Sequence, residues 1–122
     1  MPTVLVIEDS AFQRKIISNA IKELGYDVIT AENGQEGIER MVDSAPVLAF
    51  SDLLMPEFDG DWVLDQAKSR GIGVPIVILT SDVQNTTRER CLKKGAKGFL
   101  NKPVNRETLQ KTMQDVLHGE KR

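Results

Sequence analysis

The sequence is poor in several things, and each shortage excludes something. It holds a single cysteine, Cys91, in 122 residues, which rules out an intrachain disulfide and any metal site built from several thiolates. It lacks a basic excess: the formal net charge is -2, whereas duplex-binding domains carry a strongly positive surface. Direct nucleic-acid binding is not expected. Its apolar runs are short, against the about 20 residues needed to cross a bilayer, so no membrane insertion is expected either. From Met1-Pro2-Thr3 the chain passes directly into VLVIED with no basic leader, and the expected compartment is the cytoplasm. No repeat, linker or low-complexity segment interrupts it. A hydrophobic content of 40% with 28% charged residues is that of an ordinary globular domain, and this length is one domain's worth.

What remains is a regular alternation. Short apolar runs occur at Val4–Ile7, at Val28–Ile29 with its flanks, at Val47–Phe50, at Ile76–Leu79 and, more weakly, at Lys97–Leu100. Stretches of helical period lie between them. In the first, Phe12, Ile16, Ile17, Ala20, Ile21 and Leu24 fall on one face, with Ser10 and Gln13 as a capping box and Gly25 as the stop. Asn33 with Glu36 opens a second helix carrying Ile38, Met41 and Val42. A third runs from near Asp61 to around Gly71, and a fourth from about Gln84 to Gly95. Asn105 caps a fifth, with Leu109, Met113, Val116 and Leu117 on one face. Five βα units predict an α/β fold, a doubly wound five-stranded parallel sheet with helices on both faces. The domain spans 1–117, and 118–122 read as a loose tail.

Open sheets of this kind bind ligands at the carboxyl ends of their strands. After the first run come Glu8 and Asp9, after the third Asp52, after the fourth Thr80, and after the fifth Lys102 followed by Pro103. Each has an ordinary reading alone: an acidic loop opening, a cap, a β-branched strand residue, a surface lysine. All five occupying the same position on different strands weakens those readings. Asp52 is the sharpest case, because a carboxylate inside VLAFSDLLMP is costly unless something pairs with it.

The charges suggest the chemistry. Clustered carboxylates raise one another's pKa, and a hard divalent cation, Mg²⁺ or Mn²⁺, relieves the repulsion while leaving room for phosphate oxygens. Beside such a cation and Lys102, Asp52 stays ionised and can attack phosphorus. The oxygens of the incoming group are then neutralised by the metal, by Lys102 and by the Thr80 hydroxyl.

In VLVIEDS, SDLLMPEFDG, PIVILTSD and GAKGFLNKP the sequence resembles the receiver domain of two-component response regulators, most closely the stand-alone chemotaxis (CheY-like) type. The resemblance covers essentially the whole chain. It implies the flavodoxin-like (βα)5 sheet with strand order 2-1-3-4-5 and Asp52 as phosphoacceptor. It also implies Mg²⁺ held by Asp9, Asp52 and the backbone carbonyl of Leu54, with Glu8 acting mainly through water. Thr80 resembles the switch hydroxyl, Phe99 the switch aromatic, and Lys102 the phosphoryl-binding lysine, joined to Pro103 by a cis peptide. Leu54 and Asp82 would flank the path of the hydrolytic water. The implied partners are a sensor histidine kinase and a downstream target or phosphatase, met through the face of helix four, strand five and helix five. With no output domain in the sequence, the signal is expected to be read by another protein.

Three features depart from the common pattern. Glu8 stands where many members have Asp, Ser81 where Ala is common, and Phe99 lacks the hydroxyl of Tyr. Phe99 also reads as a plain strand aromatic, Trp62 as a helix anchor, Cys91 as a packed helix residue and His118 as part of the tail. The basic run RERCLKKGAK, Arg88 to Lys97, is either a solvated helix face or a partner surface. A phosphorelay intermediate serving a histidine phosphotransfer domain is the alternative function. The intact set of five counts against a vestigial scaffold. An aspartyl phosphatase would need a second Asp where Leu54 stands, and a flavin binder would need a Ser/Thr/Gly-rich loop after strand one.

Overall fold

A computed structural model describes residues 2–119. Along the chain run β1 (Thr3–Ile7), α1 (Ala11–Glu23), β2 (Asp27–Ala31), α2 (Gly34–Ser44) and β3 (Leu48–Asp52). There follow α3 (Gly60–Ser69), β4 (Ile76–Thr80), α4 (Asn85–Lys93), β5 (Gly98–Asn101) and α5 (Arg106–His118). The strands form one parallel sheet in the order β2-β1-β3-β4-β5, the expected doubly wound arrangement.

The period of two along each strand divides the core between the two faces. Leu5, Ile7, Ala49, Ile76 and Ile78 meet Ile38 and Met41 of α2, Val63 and Leu64 of α3, and Cys91 of α4. Val4, Val6, Leu48, Phe50, Val77 and Leu79 meet Ile17 and Ile21 of α1 and Leu109 and Met113 of α5. Each large side chain so buried contributes about 1.5–3 kcal/mol. The central strands β1, β3 and β4 therefore form a rigid frame that can carry charged groups at its ends.

The helix starts follow their capping residues. Ser10, Asn33, Asp59 and Asn105 each accept a hydrogen bond from the backbone N–H three residues on. The reciprocal capping box occurs in α5, between Asn105 and Thr108, while Ser10 caps α1 through its own side chain. Glu36 turns back to the N–H of Glu32. Phe12 is 72% exposed and Ile16 45%, so the apolar stripe read on α1 is wider than the arc it buries. Val42 and Val47 are likewise exposed, and β3 starts at Leu48. α5 extends through His118 and ends at Gly119; residues 120–122 of the expected tail lie outside the described residues. Among the described residues no helix is long and apolar enough to cross a membrane.

Candidate functional site

Parallel pairing brings the strand ends to one edge. Ile7 pairs with Ser51, Asp52 with Leu79, and Thr80 with Asn101. Backbone bonds extend the ladder past the strands, from Glu8 N to Ala31 O at 3.0 Å and from Lys102 N to Thr80 O at 2.8 Å. Glu8 and Asp52 are thereby level, with Thr80 one residue and Lys102 two residues further along the same edge. Asp52 is the last residue of β3 and only 7% exposed. Gly60 is packed against it from below: a Cβ there would lie 2.9 Å from both Asp52 O and Leu53 Cα. Only glycine permits α3 to begin so close to the strand end.

Carboxylate oxygens of Glu8, Asp9 and Asp52 lie within 4.8 Å of one another. Lys102 Nζ lies 2.8 Å from Glu8 Oε1 and 3.3 Å from Asp52 Oδ1. The other oxygen of Glu8 accepts from Ser10 N at 3.1 Å, and Arg14 Nη1 donates to the Glu8 carbonyl at 2.8 Å. A fully buried glutamate is therefore satisfied on both oxygens. Although the Asp9 side chain reaches solvent, desolvation by the protein beside it pushes its carboxyl above the usual range, aided by the hydrogen bond and charge of Glu8. Burial alone would lower the Lys102 ammonium. The hydrogen bond to Glu8 and the charges of Asp52 and Glu8 outweigh it and raise the group above its ordinary value.

Three carboxylate oxygens this close, two of them on buried side chains, form the oxygen-rich donor set that a small hard cation takes. One lysine does not neutralise three carboxylates, so the site carries a surplus of negative charge suited to Mg²⁺ or Mn²⁺.

The other expected residues differ in burial and in partners. Thr80 is buried, and its Oγ1 accepts from Asp82 N at 3.1 Å. Leu54 is 70% exposed. Phe99 is half-buried on β5 opposite Ile78 and packs on the core face that carries α2, α3 and α4. The Lys102-Pro103 peptide is cis. Trp62 rests against the Phe58 ring, centroids 4.7 Å apart. Cys91 is buried in α4 and His118 is exposed at the end of α5. The basic run is partly spent within the molecule: Arg90 makes a two-pronged pair with Asp61, and Lys94 reaches Asp61 and Asp65.

One polar residue of this edge was not singled out in the sequence. Asn101 Nδ2 donates to Asp82 O at 2.8 Å and to Thr80 O at 3.3 Å. Its signal was available, since Asn101 directly follows the fifth run and precedes Lys102.

Residues 4–114 match the family described as the response regulator receiver domain. The chain belongs to that family. It is 31% identical over 114 residues to the chemotaxis protein CheY of Halobacterium salinarum, covering 93% of this chain and 95% of that one. It is 30% identical over 121 residues to protein PilH of Pseudomonas aeruginosa, covering 98% and 100%. Among solved structures, the chemotaxis protein CheY4 of Vibrio cholerae superposes with a TM-score of 0.89 at 32% identity, covering 96% of this chain and 99% of that one. A receiver domain from a Pseudomonas aeruginosa sensor histidine kinase, solved with magnesium in its active-site cleft, matches at 26% identity with a TM-score of 0.88, covering 97% and 98%. The receiver domain spans only 12% of the length of the sensor histidine kinase RcsC of Salmonella typhimurium, to which it is 28% identical over 90% of this chain. It is thus a CheY-like receiver domain of two-component signalling, with an acidic cluster compatible with Mg²⁺.

Proposed function

We propose that this receiver domain is a phosphorylation-controlled switch that takes a phosphoryl group from a sensor histidine kinase onto Asp52. The observation that carries the reading is the buried Asp52 carboxylate, 3.3 Å from Lys102 Nζ and grouped with Glu8 and Asp9. An Asp52 oxygen attacks phosphorus, the P–N bond of phosphohistidine breaks, and the imidazole leaves with the electron pair. Asp9, Asp52 and the Leu54 carbonyl, with Glu8 beside them, would hold Mg²⁺ or Mn²⁺. When bound, that ion supplies positive charge to the transferred oxygens. Lys102 supplies a second positive charge, and the Thr80 hydroxyl a donor.

The switch is a population shift in which Thr80 is drawn toward the phosphoryl group and Phe99 moves inward. This changes the face of α4, β5 and α5, which a separate target protein or phosphatase reads. The compartment that fits these partners is the cytoplasm. Similarity to a segment of a sensor histidine kinase favours a second reading, in which the phosphoryl group passes on to a histidine phosphotransfer domain.

The test is labelling with acetyl phosphate and Mg²⁺. A single site, Asp52, is expected, with loss of label on chelation and in Asp52→Asn. Undiminished labelling of that variant would refute the assignment. Transfer of label to an added histidine phosphotransfer domain separates the relay from the terminal switch.

A further inference from the structure

The loop between β4 and α4 carries the Thr80 hydroxyl, and it is tied down from three sides. From β5, the Asn101 amide donates to the Asp82 carbonyl at 2.8 Å and the Thr80 carbonyl at 3.3 Å. From α4, the buried Thr87 donates its hydroxyl to Asp82 Oδ2 at 2.7 Å. At the helix start, Gln84 N donates to Asp82 Oδ1 at 2.9 Å. Each Asp82 carboxylate oxygen thus accepts a bond, and the Asp82 N–H lies on Thr80 Oγ1 at 3.1 Å. Hydrogen bonds from Gln84 N–H and then from Thr87 hold the Asp82 carboxyl below the usual range, so it is ionised and a strong acceptor at neutral pH.

These contacts tie the Asp82 carboxylate to its own loop and helix. The helix cap Gln84 makes no side-chain capping bond, and Asp82 supplies the anchoring at that end instead.

We propose that Asn101 is a positioning residue, which with Asp82 and Thr87 latches the β4–α4 loop and opposes movement of Thr80 toward a phosphoryl group on Asp52. The inference rests on the phosphoacceptor reading of Asp52. Its physical content is a coupling. Thr80 Oγ1 is held by the N–H of Asp82, and the carbonyl of that same residue is held by Asn101. Drawing Thr80 and its loop toward Asp52 pulls the Asp82 peptide away from β5 and from Thr87. Loss of the latch therefore raises the population of the displaced state. The bonds of Asn101 lie near solvent, and a net hydrogen bond of this kind shifts an equilibrium about two- to fivefold.

The experiment titrates beryllofluoride at fixed Mg²⁺ against the whole chain, following backbone amide resonances, and measures thermal stability without ligand. Asn101→Leu keeps the size and removes the donor without adding charge; Thr87→Val keeps the shape and removes the hydroxyl. Both variants are expected to melt earlier and yet to half-saturate at about two- to fivefold lower beryllofluoride. A residue that merely supported the site would lower stability and weaken binding together. Unchanged or weaker beryllofluoride binding in Asn101→Leu would overturn the latch, and Thr87→Val decides in the same way should the first variant fail to fold. No response in the unsubstituted chain would overturn the phosphoacceptor reading and the latch with it.

Discussion

Lys102 Nζ and Glu8 Oε1, 94 residues apart in the chain, lie 2.8 Å from each other at the end of the sheet. The side chain of Glu8 is 1% exposed and that of Lys102 17%. The Glu8 carboxylate meets the lysine directly, with no residue between them.

Removing Lys102 leaves Glu8 buried beside two further carboxylates. Lys102→Ala is expected to lose about 3 kcal/mol, the low end for a broken buried pair, because Ser10 N still supports the other Glu8 oxygen. Mg²⁺ should restore part of the loss, and so should Glu8→Gln in the same background. Urea unfolding with and without Mg²⁺ measures both; a variant as stable as the parent without metal would contradict the account.

The lifetime of a phosphoryl group on Asp52 is expected to depend on Leu54. An exposed apolar side chain two residues past Asp52 offers no hydrogen bond to an attacking water, and the negative charge of Asp82 opposes the charge that develops on the phosphoryl group. Leu54→Asn should therefore speed phosphate release several-fold, since a net bond of about 1 kcal/mol changes a rate by about fivefold. Release kinetics after removal of the phosphodonor are the measurement, and an unchanged or slower decay tells against it.

The clamp between α3 and α4 should be visible in acid. The hydrogen bond from Arg90 holds the Asp61 carboxyl below its ordinary value of 3.8, and the charges of Arg90 and Lys94 add to this. A depressed carboxylate stabilises the fold above its unfolded pKa and loses that contribution as pH falls through the folded value. Asp61→Asn is expected to cost up to about 1 kcal/mol at neutral pH, the scale of a partly exposed network. The difference from the parent should shrink as pH falls through and below the ordinary carboxylate range. Equal stability of the two at neutral pH would show the clamp to be energetically idle.

The sheet was legible because β1, β3 and β4 are buried on both faces and read as unbroken apolar runs. Polar residues at or just past the end of the runs then pointed to Glu8, Asp52 and Lys102, which the structure brings together. Two things were not legible. Phe12 and Ile16 share the helical period of Ile17 and Ile21 but look outward, since a period reports which residues share a face and not how wide an arc the sheet covers. Asn101 was passed over although it directly follows the fifth run, because its partners are carbonyls at the end of β4 and in the loop beyond it, which the sequence does not show.

The lone cysteine lies fully buried beneath α4, its thiol pushed up by burial. An un-ionised thiol with no access is inert to alkylation, so any reagent that reacts with it does so through molecules in which the helix has lifted from the sheet. Cys91 is thus a built-in stopwatch for the detachment of α4. Its rate of modification by a maleimide, compared with and without beryllofluoride, counts openings of that one helix without a label being attached anywhere else.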